Sequence, residues 1–189
     1  GSSAGMEWDE KACVEAAKED PRAFDKIYEH YVDRIYAYLY RRVGNVRDAE
    51  DLTSRTFYRA LSHLPDYEDR GLPFSAWLYR IAHNLMANWH RDTSRKPVVS
   101  LDATVLRNVV EPQPESVAEL EYDVRLLRDV IRTLDPARQE LLVLKFTEGL
   151  TNKEIGTIMG RSEGAIKSRY HRTLVELREK MTEKGLGVE

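Results

Sequence analysis

The chain is poor in cysteine and has no long apolar run. Its single cysteine, Cys13, cannot form an internal disulfide, and no CxxC pair or His/Cys ligand spacing points to a metal site. No stretch approaches the roughly 18 apolar residues that a membrane-spanning helix needs, and no signal peptide opens the chain. Strand-like alternation and internal repeats are missing as well. These absences predict a cytoplasmic all-α protein without membrane insertion, structural metal or cofactor.

Composition sets the scale of the fold. The 189 residues are 42% hydrophobic and 32% charged, with a formal net charge of −3. Such a chain can bury one or two modest cores while it leaves much solvated surface. The composition is therefore typical of small helical domains and argues against a large enzyme fold.

Apolar residues recur at helical spacing along the first half of the chain. Asp20 and Pro21 predict an N-cap and a first helical residue, and the apolar pattern that follows ends at Gly44. A third helix is predicted after Asn45, to about Leu61, and a fourth runs from about residue 74 to 91. These helices predict a first domain over residues 6 to 96.

A linker and a second domain follow. Residues 97 to 115 show no clear periodicity and contain three prolines, so they are predicted to form a flexible linker. Helix-start signals recur after it at Ser116, Asp135 and Thr151. A second helical domain is predicted over residues 116 to 184.

The segment from Thr151 to Leu177 has the pattern of a helix-turn-helix. Gly160 stands where the turn needs a residue that tolerates positive φ, and Ser162 can cap the next helix. At about 100° per residue, one side of that helix is apolar and should face the core: Ile166, Tyr170, Thr173, Leu174 and Leu177. The opposite side suits the DNA major groove: Gly164, Lys167, Ser168, His171 and Arg172, flanked by Arg161 and Arg169. An ordinary solvated helix face would show the same charge pattern.

The fourth predicted helix carries a second basic surface. Its apolar side consists of Phe74, Trp77, Leu78, Ile81, Leu85 and Trp89. Its other side can hold unstacked bases and their backbone, and comprises Tyr79, Arg80, His83, Ala87, His90 and Arg91, with Asn84 at the border. The tryptophans at this spacing are better explained as core residues than as base-stacking platforms.

Three segments together resemble regions 2 and 4 of bacterial extracytoplasmic-function sigma factors: AEDLTSRTFYRAL, FSAWLYRIAHNLMANW and LLVLKFTEGLTNKEIGTIMGRSEGAIKSRYHRTLVELRE. The resemblance covers residues 20 to 96 and 116 to 180 in the order of that family. It implies binding to core RNA polymerase through the β′ clamp helices and the β flap. It also implies that region 2 captures the promoter −10 element and that region 4 recognises the −35 element. An anti-sigma factor is a further implied partner.

The resemblance also implies roles for single residues. Lys167, Ser168 and Arg172 match recognition-helix positions that contact the −35 element. Asn84 matches a position near the flipped-out −10 base, and the loop SHLPDYEDRGLPF resembles the one that forms the pocket of that base. The segment 47 to 59 resembles the polymerase-binding segment, with candidate contacts Asp48, Glu50, Asp51 and Arg55.

Two other classes of protein remain open at this point. A free-standing helix-turn-helix regulator would bind its operator without polymerase. An enzyme that acts on nucleic acid would need a metal or catalytic cluster, but the five histidines are scattered and no carboxylate pair stands beside them at metal-ligand spacing. No catalytic residue is therefore predicted.

Overall fold

The structure, a computed structural model, describes residues 8–95 and 117–184, with side chains from residue 124 onward in the second range. Both ranges are helical and neither contains a strand, which confirms the all-α prediction. Their α-helices are α1 (Glu10–Glu19), α2 (Asp25–Val43), α3 (Val46–His63), α4 (Phe74–Thr93), α5 (Val117–Arg132), α6 (Pro136–Leu142), α7 (Asn152–Met159) and α8 (Glu163–Glu183). The predicted linker and the helix-start signal at Ser116 lie outside the described residues.

Local signals determine several helix ends. Asn45 Oδ1 accepts a hydrogen bond from the backbone nitrogen of Asp48 at 2.8 Å and so caps the start of α3. Asp135 and Thr151 cap α6 and α7 through their side chains in the same way. Gly44, with φ 80°, ends α2 in a left-handed conformation that glycine adopts without steric cost.

Helix α2 begins later than the sequence predicts. Pro21 is not its first residue, because Pro21–Phe24 form a 3₁₀ turn and α2 starts at Asp25. The Asp20 side chain accepts from the backbone nitrogen of Arg22 at 3.1 Å, and the Asp20 carbonyl accepts from Ala23 at 2.9 Å. These short-range bonds close a tighter turn than an α-helix does.

Helix α2 is the centre of the first helical group, α1 to α4. Its residues Ile27, Ile35, Tyr38 and Leu39 are fully buried, and α2 packs against both α3 and α4. Burial of one such apolar side chain contributes about 1.5–3 kcal/mol. This packing positions α3 and α4, the two helices that carry the predicted sites of the first domain.

Helix α8 has the same role in the second helical group, α5 to α8. Helices α5, α6 and α7 all pack against it. The buried side-chain amide of Gln139 donates to backbone carbonyls in and just after the last turn of α5, including that of Leu134 at 2.9 Å, so these carbonyls are not left unpaired. A π-helical turn, Val143–Thr147, then leads from α6 toward α7.

The two helical groups contact each other. Helix α7 packs against α4, and Glu140 and Glu148 of the second group reach side chains of α2 and α4. The helix-turn-helix therefore lies beside the helix that carries the second predicted DNA surface. Within the described ranges, no helix has the length and apolar character needed to cross a membrane.

Candidate nucleic-acid interface

Two glycines shape the turn between α7 and α8. Gly160 has φ 69° and supplies the left-handed conformation that the sequence predicts there. A Cβ added at Gly156, within α7, would lie 2.6 Å from the carbonyl oxygen of Arg161. Glycine therefore lets the turn approach α7 closely. The role of Gly156 cannot be predicted from the sequence, because it depends on a backbone approach that no local pattern encodes.

Helix α8 presents one side to the core and the other to solvent. Ile166, Thr173 and Leu177 are buried on the inner side, as predicted, and Tyr170 and Leu174 are partly buried. The DNA-contacting residues predicted for the outer side are exposed, apart from the half-buried Arg169: Arg161, Gly164, Lys167, Ser168, His171 and Arg172. A Cβ added at Gly164 would meet no atom within 4 Å. This outer side, the α8 face, is open for a large partner.

Helix α4 divides its predicted DNA-contacting residues into two stripes. The exposed stripe consists of Arg80, Asn84, Ala87 and Arg91. The covered stripe consists of Tyr79, which is fully buried, and His83 and His90, which are half-buried. The expectation that Tyr79 lies on an open surface with the others is wrong for this arrangement, because the second helical group packs over this stripe.

Glu148, in the segment between α6 and α7, holds Tyr79 in place. The Tyr79 hydroxyl donates to Glu148 Oε2 at 2.6 Å, and Arg41 Nη1 lies 3.2 Å from Glu148 Oε1. Burial raises the pKa of Tyr79, and the charge of Glu148 raises it further. Burial also raises the pKa of Glu148, and the hydrogen bond from Tyr79 and the charge of Arg41 offset only part of that effect.

Glu140, in α6, makes the most buried contact between the two groups. Its side chain is 3% exposed, and its Oε2 lies 2.7 Å from Nε of Arg42, which is 2% exposed. Its Oε1 accepts from the Tyr38 hydroxyl and lies 3.4 Å from His83 Nδ1. Burial alone would raise the pKa of Glu140, but the neighbouring His83 and the charge of Arg42 together lower it. The surroundings therefore favour the charged carboxylate.

A cavity of about 570 Å³ lies between the two groups. One wall comes from the loop before α4 and from α4 itself, including Arg70, Trp77 and Arg80. The other wall comes from the helix-turn-helix: Gly156, Thr157, Gly160 and Arg161. The loop before α4 thus faces the helix-turn-helix across this cavity.

The outer side of α3 carries the predicted polymerase contacts. Glu50, Asp51 and Arg55 are exposed, whereas Asp48 is half-buried and its carboxylate lies 3.3 Å from Arg95 Nη1. The Asp51 and Arg55 side chains are 3.9 Å apart, and such an exposed pair contributes little to stability. Tyr58, which is 75% exposed, adds an aromatic group that is not among the predicted contacts. The segment therefore offers both charge and an aromatic contact to a partner.

Family models match both halves of the chain. The model for sigma-70 region 2 matches residues 27–96, and the model for sigma-70 region 4 matches residues 125–177. The ECF RNA polymerase sigma factor SigW of Bacillus subtilis is 33% identical over 183 residues, which are 90% of this chain and 95% of SigW. This chain belongs to the ECF sigma factor family. The region 2 match includes α3 and α4, and the region 4 match includes the helix-turn-helix.

Other similar proteins differ in length and in similarity. The ECF RNA polymerase sigma factor BldN of Streptomyces coelicolor is 40% identical over 153 residues, which are 80% of this sigma factor and 58% of BldN. The chain thus spans little more than half of that relative. The solved structure of the sigma factor RpoE with the anti-sigma factor NepR, from Bartonella quintana, matches with a TM-score of 0.59 at 20% identity. The match covers 84% of this chain and 96% of the matched chain, and it shows a similar fold.

Proposed function

We propose that this sigma factor binds core RNA polymerase and directs it to promoters, where α8 recognises the −35 element and α4 captures the opened −10 strand. The observation that carries the proposal is the pair of basic surfaces, the α8 face and the exposed stripe of α4, in segments that match region 4 and region 2. A chain with only one of them would resemble a simple operator-binding protein.

The α8 face has the chemistry for duplex recognition. Lys167 and Arg172 project from its exposed side and can reach guanine edges or phosphates, while Ser168 can donate to a phosphate. Gly164 leaves space for close approach of the DNA backbone. Local positive charge is sufficient for this contact, although the whole chain is slightly acidic, because screening limits electrostatic attraction to about 8 Å at physiological salt.

The exposed stripe of α4 suits single-stranded DNA. Arg80 and Arg91 supply charge for the phosphate backbone, and Asn84 can hydrogen-bond a base edge. Extrusion of a base from the duplex costs a few kcal/mol, which contacts in a pocket and along the backbone can offset. DNA melting by this protein would therefore proceed by strand capture and would need no catalytic group.

Helix α3 is the proposed polymerase contact. Its exposed carboxylates and Tyr58 face away from the contact with the second helical group, so they stay accessible while the two groups are together. The β′ clamp helices are the proposed partner of α3, and the β flap is the proposed partner of region 4. Because polymerase and DNA are intracellular, we place the protein in the cytoplasm.

An anti-sigma factor is a further proposed partner. RpoE, a protein with a similar fold, was solved in complex with the anti-sigma factor NepR. For this chain, we propose that such a partner covers the outer side of α3 and therefore competes with polymerase. Co-purification from the native host tests this: the anti-sigma partner and polymerase should be found in separate complexes, and a ternary complex would contradict it.

Run-off transcription tests the proposed function directly. Core polymerase should produce specific transcripts from a library of genomic fragments only when the full chain is added. The Arg172→Ala variant should lose these transcripts, whereas Arg125→Ala, which removes an exposed arginine of α5, should keep them. Sequence-specific DNA binding without any effect on polymerase would instead support the free-standing regulator.

A further inference from the structure

The loop before α4 runs from Tyr67 to Pro73, and helix α1 contacts it at both ends. Lys18 Nζ donates to the carbonyl oxygen of Tyr67 at 2.6 Å. Glu10 Oε2 accepts from the backbone nitrogen of Phe74, the first residue of α4, at 3.3 Å. Glu10 and Lys18 stand roughly two turns, or about 12 Å, apart along α1. One helix therefore holds both ends of the loop.

Lys18 contacts Tyr67 in two ways. Its ammonium group donates to the Tyr67 carbonyl and lies 5.6 Å from the centroid of the Tyr67 ring. The nearest carboxylate, that of Glu15, is 3.8 Å away and 66% exposed, so this ion pair contributes little. The Lys18 side chain is only 24% exposed, and the carbonyl replaces part of the water that the ammonium group loses. The position of Tyr67 therefore depends on Lys18.

Glu10 supplies a cap for α4 that the residue before the helix does not. That residue is Pro73, whose side chain has no hydrogen-bonding group and cannot accept from the first amides of α4. The Glu10 carboxylate accepts from Phe74 instead, and the positive end of the helix dipole favours a negative charge there. The Tyr31 hydroxyl donates to the other Glu10 oxygen and so orients the carboxylate.

Helix α1 is itself fixed to the first helical group. Its residues Val14 and Ala17 are buried. Trp8, which precedes the helix, stacks on His30 of α2 with the ring centroids 3.9 Å apart. The loop is therefore ordered when the domain folds, before DNA arrives, and preorganisation of this kind lowers the entropic cost of binding.

The loop ends lie beside the exposed stripe of α4. The rings of Tyr67 and Trp77 are 5.0 Å apart, and the Phe74 ring packs on both. Tyr67 and Trp77 line the cavity together with Arg80, which belongs to the exposed stripe. Arg70, in the middle of the loop, is exposed. Aromatic rings beside arginines suit an unpaired base and its phosphates.

We propose that α1 positions this loop for capture of the −10 strand: Lys18 fixes Tyr67, and Glu10 fixes the start of α4. The inference deepens the proposed function and rests on it, because the loop adjoins the strand contact assigned to α4. Lys18 and Glu10 are positioning residues that act through the loop. Their removal should loosen the loop even when DNA is absent.

Hydrogen exchange on the full chain without DNA tests the role of Lys18. The Tyr67 amide donates to the Leu64 carbonyl at 3.0 Å. In Lys18→Met this amide should exchange about tenfold faster, the size expected for loss of a hydrogen bond from a charged group. Lys18→Arg keeps a donor and should restore slow exchange. Lys11→Met, which removes an exposed charge of α1, should match the wild-type chain. Unchanged exchange in Lys18→Met would overturn the proposal.

Glu10→Ala tests the other end of the loop and keeps the proposal testable if Lys18→Met does not fold. The Phe74 amide loses its acceptor and should exchange about tenfold faster. Glu10→Gln keeps an acceptor oxygen and should retain slow exchange. Glu19→Ala makes the same charge change at an exposed residue of α1 and should have no effect. Wild-type protection of Phe74 in Glu10→Ala would contradict the cap.

Binding of forked DNA tests the consequence for strand capture. The probe is a fluorescent promoter fragment, found by run-off transcription, that is double-stranded at −35 and carries only the non-template strand at −10. Holoenzyme with Lys18→Met should bind it at least about threefold more weakly than holoenzyme with Lys11→Met, because fewer chains hold the loop in the binding conformation. Lys18→Arg should restore the affinity.

A fully double-stranded fragment of the same promoter separates positioning from general damage. The Lys18→Met and Lys11→Met holoenzymes should bind this fragment equally, whereas a general structural defect would weaken the binding of both fragments. Equal binding of the forked probe by the two variants would overturn the role of α1. A wild-type holoenzyme that does not prefer the forked probe would instead contradict the proposed function.

Discussion

Helices α4 and α8 are the two proposed DNA-binding helices, and they differ in what covers them. The arginines and the lysine on the outer side of α8 are exposed, except for the half-buried Arg169. Helix α4 lies between its own core and α7, so only the stripe with Arg80, Asn84, Ala87 and Arg91 stays exposed. The proposed −35 surface is therefore open, whereas Tyr79, His83 and His90 on the covered stripe of α4 are buried or half-buried.

The two helices would meet two different forms of DNA. Duplex DNA exists before initiation, and α8 can bind it without a change in structure. A single strand appears only after polymerase has docked and the duplex has opened. The covered stripe of α4 is not part of the proposed strand contact, so its burial leaves that contact accessible.

Substitution of Gly156, close to the turn before α8, should have the largest effect on stability. A Cβ at Gly156 would lie 2.6 Å from the Arg161 carbonyl oxygen, so Gly156→Ala should cost about 1–3 kcal/mol of unfolding free energy. Gly164→Ala is the matched control, because a Cβ there meets nothing within 4 Å. Urea denaturation measures the unfolding free energy of both variants. Equal stability of the two variants would contradict the close approach at the turn.

Substitution of Arg172 tests whether the α8 face contacts promoter DNA. Arg172→Ala should cost about 1–3 kcal/mol of promoter affinity if the side chain reads a base edge, and Lys167→Ala should behave in the same way. Arg125→Ala controls for the change in net charge. Binding of holoenzyme to the cognate promoter measures the effect at physiological salt, and normal affinity of both α8 variants would rule out this face.

Charge reversal on α3 should have a moderate effect, on the order of 1 kcal/mol, on polymerase binding. Asp51→Lys changes a carboxylate that is exposed and only loosely paired with Arg55 at 3.9 Å, so complementarity to a basic partner would fall. It is a cleaner change than one at Asp48, which also contacts Arg95. Binding to a β′ clamp fragment should weaken for Asp51→Lys and not for Glu179→Lys, the same charge change at an exposed site. Unchanged binding of Asp51→Lys would contradict the assignment of α3 as the polymerase contact.

Neutralisation of Glu148 should have the smallest effect, a change of less than about 1 kcal/mol in the unfolding free energy. Its pKa is raised, so its surroundings disfavour the charged form, and Glu148→Gln at neutral pH should change the unfolding free energy little or increase it. The pKa of Glu140 is lowered, so Glu140→Gln should decrease the unfolding free energy. Urea denaturation at pH 7 measures the unfolding free energy of both variants. A larger decrease in Glu148→Gln than in Glu140→Gln would contradict this prediction.

Local sequence signals predict much of the helical framework. The caps at Asn45, Thr151 and Ser162 and the left-handed glycines at Gly44 and Gly160 depend on residues within one turn, so their patterns are visible in the sequence. The division of α8 into an inner and an outer side follows from helical periodicity for the same reason. The 3₁₀ turn before α2 cannot be predicted from the sequence, because a proline after an aspartate can begin either a 3₁₀ turn or an α-helix.

Contacts between distant residues explain what the sequence does not predict. Tyr79 bonds to a residue 69 positions away, and Tyr38 bonds to Glu140 across 102 positions. Periodicity places Tyr79 on a side of α4, but it does not show that another helical group lies against that side. The roles of single residues toward DNA and polymerase stay predictions, since they depend on partners outside the chain.

Permanganate mapping of unpaired thymines tests the central claim most directly. The complex contains core polymerase, the full chain and a genomic fragment that yields a run-off transcript. The wild-type chain and the Arg125→Ala variant should each produce a cluster of reactive thymines upstream of the transcript start. The double variant Arg80→Ala with Asn84→Ala should still bind the fragment, but the DNA should stay double-stranded and its thymines unreactive. Reactive thymines with polymerase alone, or full opening by the double variant, would contradict strand capture by α4.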